Sequence, residues 1–112
     1  MTTELLATSA DGRYQVRVSP WEAGPSHWVH SPEVIDTATG ACVLQFTDPC
    51  WSVDQATWPL PNCLSLLLRK YPGQLTGSGV SVSVDCSQRV AYYGDGIAVE
   101  LHALEAALEA MI

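Results

Sequence analysis

Hydrophobic and polar residues alternate over several short stretches of this chain, which is the pattern of strands that bury one face. Segment 13–18 places a tyrosine and two valines on one face and polar residues on the other. Segment 63–71 carries leucines on both sides, which predicts a central strand covered on both faces. Segments 80–84 and 89–93 flank a short polar turn, so we expect them to form a β-hairpin.

Turn-forming residues separate these stretches from the other candidate strands. An Asp-Gly pair at 11–12 and the polar segment 36–40 predict turns. The further candidate strands are 3–8, 27–35 and 42–46. Pro32 falls inside one of them, and we expect that strand to break there. Two segments that contain prolines, 19–26 and 50–61, predict a loop and a largely irregular stretch with at most one short strand.

The C-terminal part of the chain changes from the strand period to the helix period. Its apolar residues recur at spacings of four and three, at Ile97, Leu101, Leu104, Leu108 and Met111. This spacing predicts an amphipathic helix from about 97 to 111, with Asp95 as the candidate N-cap. The apolar stripe fits packing on a sheet or a seam between two copies of the chain. Because about fifteen residues are few for an independent coiled coil, packing on the sheet is favoured.

These elements together predict the fold class. No helical pattern separates the strands, which favours an antiparallel meander over βαβ units. We therefore expect an α+β, mainly β fold, with an antiparallel sheet of about five to seven strands and one C-terminal amphipathic helix packed on it. The length of 112 residues and the lack of a linker predict a single domain over 1–112.

Charge narrows the classes of partner. Twelve Asp and Glu against five Lys and Arg give a net charge of -7, which repels phosphate backbones and anionic lipids and attracts basic surfaces. Nucleic acid and membranes are therefore not expected as partners, whereas a basic protein is. Segment 1–6 lacks a basic region followed by an apolar stretch, and the longest apolar run is too short to span a bilayer, so we expect a cytoplasmic protein.

The four cysteines are Cys42, Cys50, Cys63 and Cys86. Their spacing contains no Cys-x-x-Cys pair, and in a reducing compartment we expect free, mostly buried thiols that folding does not require. Cys42 shares a predicted strand face with Leu44, which indicates a core position. A nucleophilic Cys50 is disfavoured, because the carboxylates of Asp48 and Asp54 would raise the pKa of its thiol.

Two histidines are the main candidates for chemistry. His27 and His30 lie near Glu22 and Glu33, and this set could offer ligands to a metal ion in an enzyme. Residues three apart on a strand point to opposite faces, however, so the two imidazoles would converge only at a bend. We therefore expect no catalytic residue, no metal and no cofactor.

The tryptophans are the most unusual feature of the sequence. All four lie in two proline-containing segments, 20–32 and 48–61, at Trp21, Trp28, Trp51 and Trp58. They could fill the edge of the core beneath long loops, which is their common role. Alternatively they could form an aromatic patch for a partner, where the flanking acids would select a basic surface. These acids are Glu22, Glu33, Asp48 and Asp54.

The hypothesis that these observations favour is a non-enzymatic binding or regulatory module that docks a basic protein through the tryptophan segments. Small acidic inhibitors of basic enzymes, such as bacterial immunity proteins, share this composition, and the analogy extends no further. One alternative is a domain that binds a small ligand, and another is a metal-dependent enzyme that uses His27 and His30. We expect a monomer or a weak homodimer.

Overall fold

A computed structural model describes residues 3–25, 27–71 and 79–110, without the side chain of His27. It contains nine strands: β1 (Glu4–Thr8), β2 (Tyr14–Gly24), β3 (His27–Asp36), β4 (Ala41–Gln45), β5 (Trp51–Leu60), β6 (Cys63–Lys70), β7 (Val80–Asp85), β8 (Val90–Tyr93) and β9 (Ile97–Glu100). A turn of 3₁₀-helix (Leu101–Ala103) and the helix α1 (Leu104–Glu109) follow.

Each described strand pairs antiparallel with its neighbour in the chain, except at the step from β4 to β5. The result is two meanders, a four-stranded sheet β1–β4 and a five-stranded sheet β5–β9. This confirms the predicted mainly β, antiparallel fold class with a C-terminal helix. The strands of the described residues number nine and are divided between two sheets, because the chain leaves the first sheet after Gln45 and crosses to the second through the segment 46–50.

One hydrophobic core lies between the two sheets. Its largest fully buried members are Trp51, Leu64, Leu66, Leu68, Leu104, Leu108, Val16, Val34, Val82 and Val84. Two ring pairs join the sheets: Phe46 stacks on Trp51 with centroids 5.6 Å apart, and Tyr14 stacks on Trp58 at 6.1 Å. The predicted strand over segment 63–71 therefore supplies a leucine row that is central to the core.

The C-terminal stripe folds as strand and helix in succession. Segment 97–100 forms β9 and pairs with β8, so the predicted helix over these four residues is wrong. The reason is local: Gly94 and Gly96 have positive φ and form a tight turn that returns the chain alongside β8. Asp95 lies in this turn and does not cap the helix, whose N-cap is Ala103 without a side-chain hydrogen bond.

The helical part of the stripe is buried as predicted, at Leu101, Leu104 and Leu108. These leucines belong to the core of the domain. The stripe therefore packs on the sheets, as the favoured alternative predicted, and does not form a seam between copies. Met111, the predicted end of the helix, lies outside the described residues. In the described part of the chain, no helix is long and apolar enough to cross a membrane.

Strands β2 and β3 form one long hairpin. They pair without interruption as far as Glu22 opposite Trp28. The predicted loop is therefore wrong over 19–24, and so is the predicted break of the strand near Pro32.

Two prolines in this hairpin are the reason for the wrongly predicted loop and strand break. Strand β1 pairs with β2 only as far as Val18, and β4 pairs with β3 only as far as Glu33. In the described residues, Pro20 and Pro32 therefore each lie beyond the end of the outer neighbouring strand. A proline that needs no ladder bond on that side fits a strand.

Two irregularities hid β5 in the sequence. The register between β5 and β6 shifts between Val53 and Gln55, and again between Thr57 and Leu60. Each shift interrupts the alternation of side chains, so a ten-residue strand resembles an irregular segment. The prediction of irregular structure over 50–61 is wrong for this reason. The predicted strand over 63–71 is confirmed as β6, which ends at Lys70.

A bulge in β4 also changes the environment of Cys42. Leu44 lies opposite Val34, but Cys42 lies opposite Ile35, so Val43 is the extra residue. Cys42 consequently leaves the face that it was predicted to share with Leu44 and is exposed. All four cysteines are free as predicted, but the prediction that most are buried is wrong, since only Cys86 is.

Candidate functional site

The structure separates the four tryptophans into different environments. Trp51 is 0% exposed, and its indole N–H donates to Glu109 at 3.1 Å. The ammonium of Lys70 lies 5.7 Å from the centre of its ring. Trp51 therefore belongs to the core, where it fixes helix α1 to the start of β5.

Trp58 also packs against the core. It is half-buried and stacks on Tyr14 of the other sheet. Its Nε1 is buried and has no hydrogen-bond partner among the described residues, a cost of about 1 to 3 kcal/mol, of which the stacked ring offsets about 0.5 to 1.5 kcal/mol. The two tryptophans of β5 thus serve the contact between the sheets.

Trp28 lies in the opposite situation, on the surface, and is 58% exposed. The register of the hairpin explains this difference. Residues 14, 16 and 18 of β2 pair with 36, 34 and 32 of β3, and all six are buried. The next pairs on the same face are Pro20 with His30 and Glu22 with Trp28, and only Pro20 is partly covered. The hairpin therefore extends beyond the second sheet, and we name these four residues the hairpin face.

The other side of the hairpin carries Trp21, which is half-buried. Its indole N–H donates to the hydroxyl of Ser31 at 3.1 Å and to the carbonyl of Pro49 at 3.0 Å. The hydroxyl of Ser31 donates to the same carbonyl at 2.7 Å, and the N–H of His30 donates to Ser52 at 3.0 Å. These bonds hold the connection between the sheets beside β3.

A groove of about 200 Å³ lies between the hairpin and this connection. Apart from two prolines, its lining consists of Ser19, Trp21, Ser31, Glu33, Gln45 and Phe46. Sequence reasoning identified Trp21 and Glu33 but none of the other four. They come from three separate strands and a strand end, so no spacing along the chain relates them.

Two of the predicted acids are engaged within the chain. Asp48 pairs with Lys70 at 3.1 Å, and Lys70 also contacts Glu109 at 2.6 Å. The backbone N–H of Cys50, followed by Lys70, holds the pKa of Asp48 below its usual range. Asp54 forms an ion pair with Arg69 at 2.6 Å. Neither carboxylate is available as an isolated charge for a partner.

The other two predicted acids lie on opposite sides of the hairpin. Glu22 belongs to the hairpin face beside Trp28 and is exposed. Glu33 is half-buried in the groove, and within the described residues its carboxylate has neither an ion pair nor a hydrogen bond. The predicted single patch of tryptophans and acids is thus divided between two surfaces.

The described side chains among those considered for catalysis do not form a cluster. His30 is exposed on β3, whereas the side chain of His27 lies outside the described part. No group of three or more His, Cys, Asp or Glu in the described ranges is arranged to hold a metal ion. Burial, followed by the nearby Asp48, raises the pKa of the Cys50 thiol, which opposes formation of a thiolate.

Comparisons of the chain with protein-family models, with curated proteins and with solved structures found no match. The geometry of the described residues gives two candidate surfaces: an exposed indole on one side of a long hairpin, and a groove that contains Glu33 on the other.

Proposed function

We propose that this domain is a non-enzymatic protein-binding module that docks a basic protein through the hairpin face. The observation that carries the proposal is the exposure of Trp28 on a strand whose backbone is paired with β2. Because the backbone is already fixed by this pairing, a partner that covers Trp28 has only the side chain to immobilise, at a cost of about 0.5 to 1.5 kcal/mol.

The size of the exposed indole supports a binding role. Covering its 58% exposed fraction would remove about 90 to 145 Å² from water, which is worth about 2 to 4 kcal/mol. Tryptophan is enriched among the few residues that dominate the energy of interfaces. No other described tryptophan offers this area, because Trp51 and Trp58 are engaged in the core.

The charge distribution supports a basic partner. Three of the five basic residues, Arg13, Arg69 and Lys70, are engaged in ion pairs within the chain. Those pairs use only four of the twelve carboxylates, so the surface keeps a large negative excess. Such an excess steers a cationic partner towards the domain over about 8 to 10 Å at physiological salt.

The groove also bears on the alternative of a small-ligand domain. Its volume of about 200 Å³ is below the range of about 300 to 1,000 Å³ that is common for small-molecule sites. The exposed hairpin face therefore supports the protein-binding hypothesis better than the groove supports a small-ligand one.

The proposal can be tested by selecting binders from a display library of random peptides on the immobilised domain. The selected peptides are expected to be rich in Arg and Lys, with an apolar residue for contact with Trp28. Trp28→Ala should weaken their binding by at least about tenfold, and association should slow as salt rises.

Tyr92→Ala is the matched control, because Tyr92 is also an exposed aromatic residue but lies on β8 of the other sheet. It should change affinity by less than about twofold. Selection of neutral or acidic peptides, or equal losses in the two variants, would overturn the proposal. Thermal unfolding of both variants checks that neither loss reflects a damaged fold.

A further inference from the structure

The groove on the opposite side of the hairpin contains one carboxylate. Among the described residues of its lining, Glu33 is the only ionisable one. Arg17 lies directly across the strand pair, but its guanidinium donates to Gln15 through Nε at 3.2 Å and Nη2 at 2.9 Å. In the described part of the chain, no Lys or Arg is within ion-pair distance of the half-buried Glu33.

The walls of the groove are apolar and aromatic. Trp21 and Phe46 contribute rings, and Pro32 and Pro49 contribute flat aliphatic surfaces. The bonds from Trp21 and Ser31 to the carbonyl of Pro49 fix this geometry before any ligand arrives. A preformed wall reduces the entropy lost on binding.

Three side chains give the groove hydrogen-bond acceptors, and two of them, Gln45 and Ser19, also carry donors. Glu33 supplies a carboxylate, Gln45 an amide oxygen and Ser19 a hydroxyl. A planar guanidinium matches this set, because it offers five N–H donors, pairs with a carboxylate and stacks on aromatic rings. The volume of about 200 Å³ is below that of common small-molecule pockets, so a single side chain suits it.

We propose that this groove binds an arginine side chain of the basic partner, with Glu33 as the counter-charge. The identity of the partner rests on the proposed function, but the groove itself does not involve the hairpin face, because adjacent residue pairs of the hairpin point to opposite sides. Arginine recognition thus adds a second, charge-selective contact on the side of the hairpin opposite Trp28.

The test uses a small probe, N-acetyl-arginine methylamide, and its neutral isostere, the citrulline derivative, in titrations followed by NMR. The arginine probe is expected to shift the indole N–H signal of Trp21 and the backbone signals of Glu33 and Gln45. The citrulline probe should bind about fivefold more weakly, since it lacks the charge.

Two variants with the same chemical change locate the charge. Glu33→Gln should remove the preference for arginine, whereas Glu100→Gln, on β9 of the other sheet, should keep it. Equal binding of the two probes to the unchanged protein would overturn the inference. So would equal effects of the two variants, or signal shifts that lie outside the groove.

Failure of this inference is distinguishable from failure of the proposed function. Trp28→Ala should leave probe binding unchanged, because Trp28 lies on the other side of the hairpin. Probe binding without selection of basic peptides would overturn the docking function and keep the groove. The reverse result would overturn the groove and keep the docking function.

Discussion

Leu104→Ala tests whether the C-terminal stripe is a structural part of this domain. Leu104 is the first residue of α1 and is fully buried in the core between the sheets. The substitution removes most of a side chain from this site and leaves a cavity. Its cost depends on how far the surroundings can collapse into that cavity.

Two glutamates of α1, Glu105 and Glu109, oppose such a collapse because they bind the helix to neighbouring segments. The carboxylate of Glu105 accepts hydrogen bonds from the backbone N–H groups of Thr47 and Asp48, at 2.7 and 2.8 Å. Glu109 accepts from Lys70 at 2.6 Å. With α1 held in this way, we expect a cost in the upper part of the range for buried leucines, about 3 to 5 kcal/mol. For 112 residues this corresponds to a fall in Tm of about 13 to 21 °C.

The assay is urea and thermal unfolding, with Leu60→Ala as control. Leu60 is 57% exposed at the end of β5, so the same truncation should cost less than about 1 kcal/mol. Similar losses in the two variants would refute the argument that the stripe is core. A wild-type protein whose Tm rises with its concentration, and a Leu104→Ala variant that lacks this dependence, would instead support a seam between copies.

Two further predictions concern titration and thiol chemistry. Hydrogen bonds from Arg13 hold the pKa of Asp36 below its usual range, so this contribution to stability is present above pH ~4 and is lost as the pH falls through the folded-state pKa. Between pH 5 and 3, the free energy of unfolding should therefore fall less in Asp36→Asn than in Asp95→Asn, because Asp36→Asn has already lost this carboxylate. Urea unfolding measures both falls, and equal falls would contradict the prediction. Thiol titration without reductant should find four thiols in the unfolded protein. In the folded protein, the exposed Cys42 should react first. Cys86 should react last, because burial raises the pKa of its thiol to about 12. Fewer than four thiols in the unfolded protein would indicate a disulfide.

Regular alternation predicted β6 and β7 correctly, and these two strands pair with each other without irregularity. Strand β7 lies in unbroken register with β6, and its valines are buried while its serines are exposed. The alternation fails where a bulge inserts a residue. Val43 is such a residue, and its insertion moves Cys42 to the surface. A bulge is defined by the partner strand, so a single segment does not reveal it.

The prolines failed as markers of loops for a related reason. A proline disrupts a sheet only where a neighbouring strand needs its N–H. Pro20 and Pro32 lie beyond the ends of β1 and β4, and the lengths of those strands are set elsewhere in the chain. The period of the C-terminal stripe was ambiguous in the same way, because segment 97–100 becomes a strand only through its pairing with β8.

The candidate site illustrates how far spacing along a chain can locate a surface. Trp21 and Trp28 lie in the same proline-containing segment, 20–32, but the hairpin pairs Trp28 with Glu22 and Trp21 with Val29. Adjacent pairs face opposite sides of a sheet, so this register alone separates the two indoles. Composition predicted an acidic surface with tryptophan, whereas the hairpin register decides that the exposed indole of Trp28 and the carboxylate of Glu33 lie on opposite sides of the hairpin.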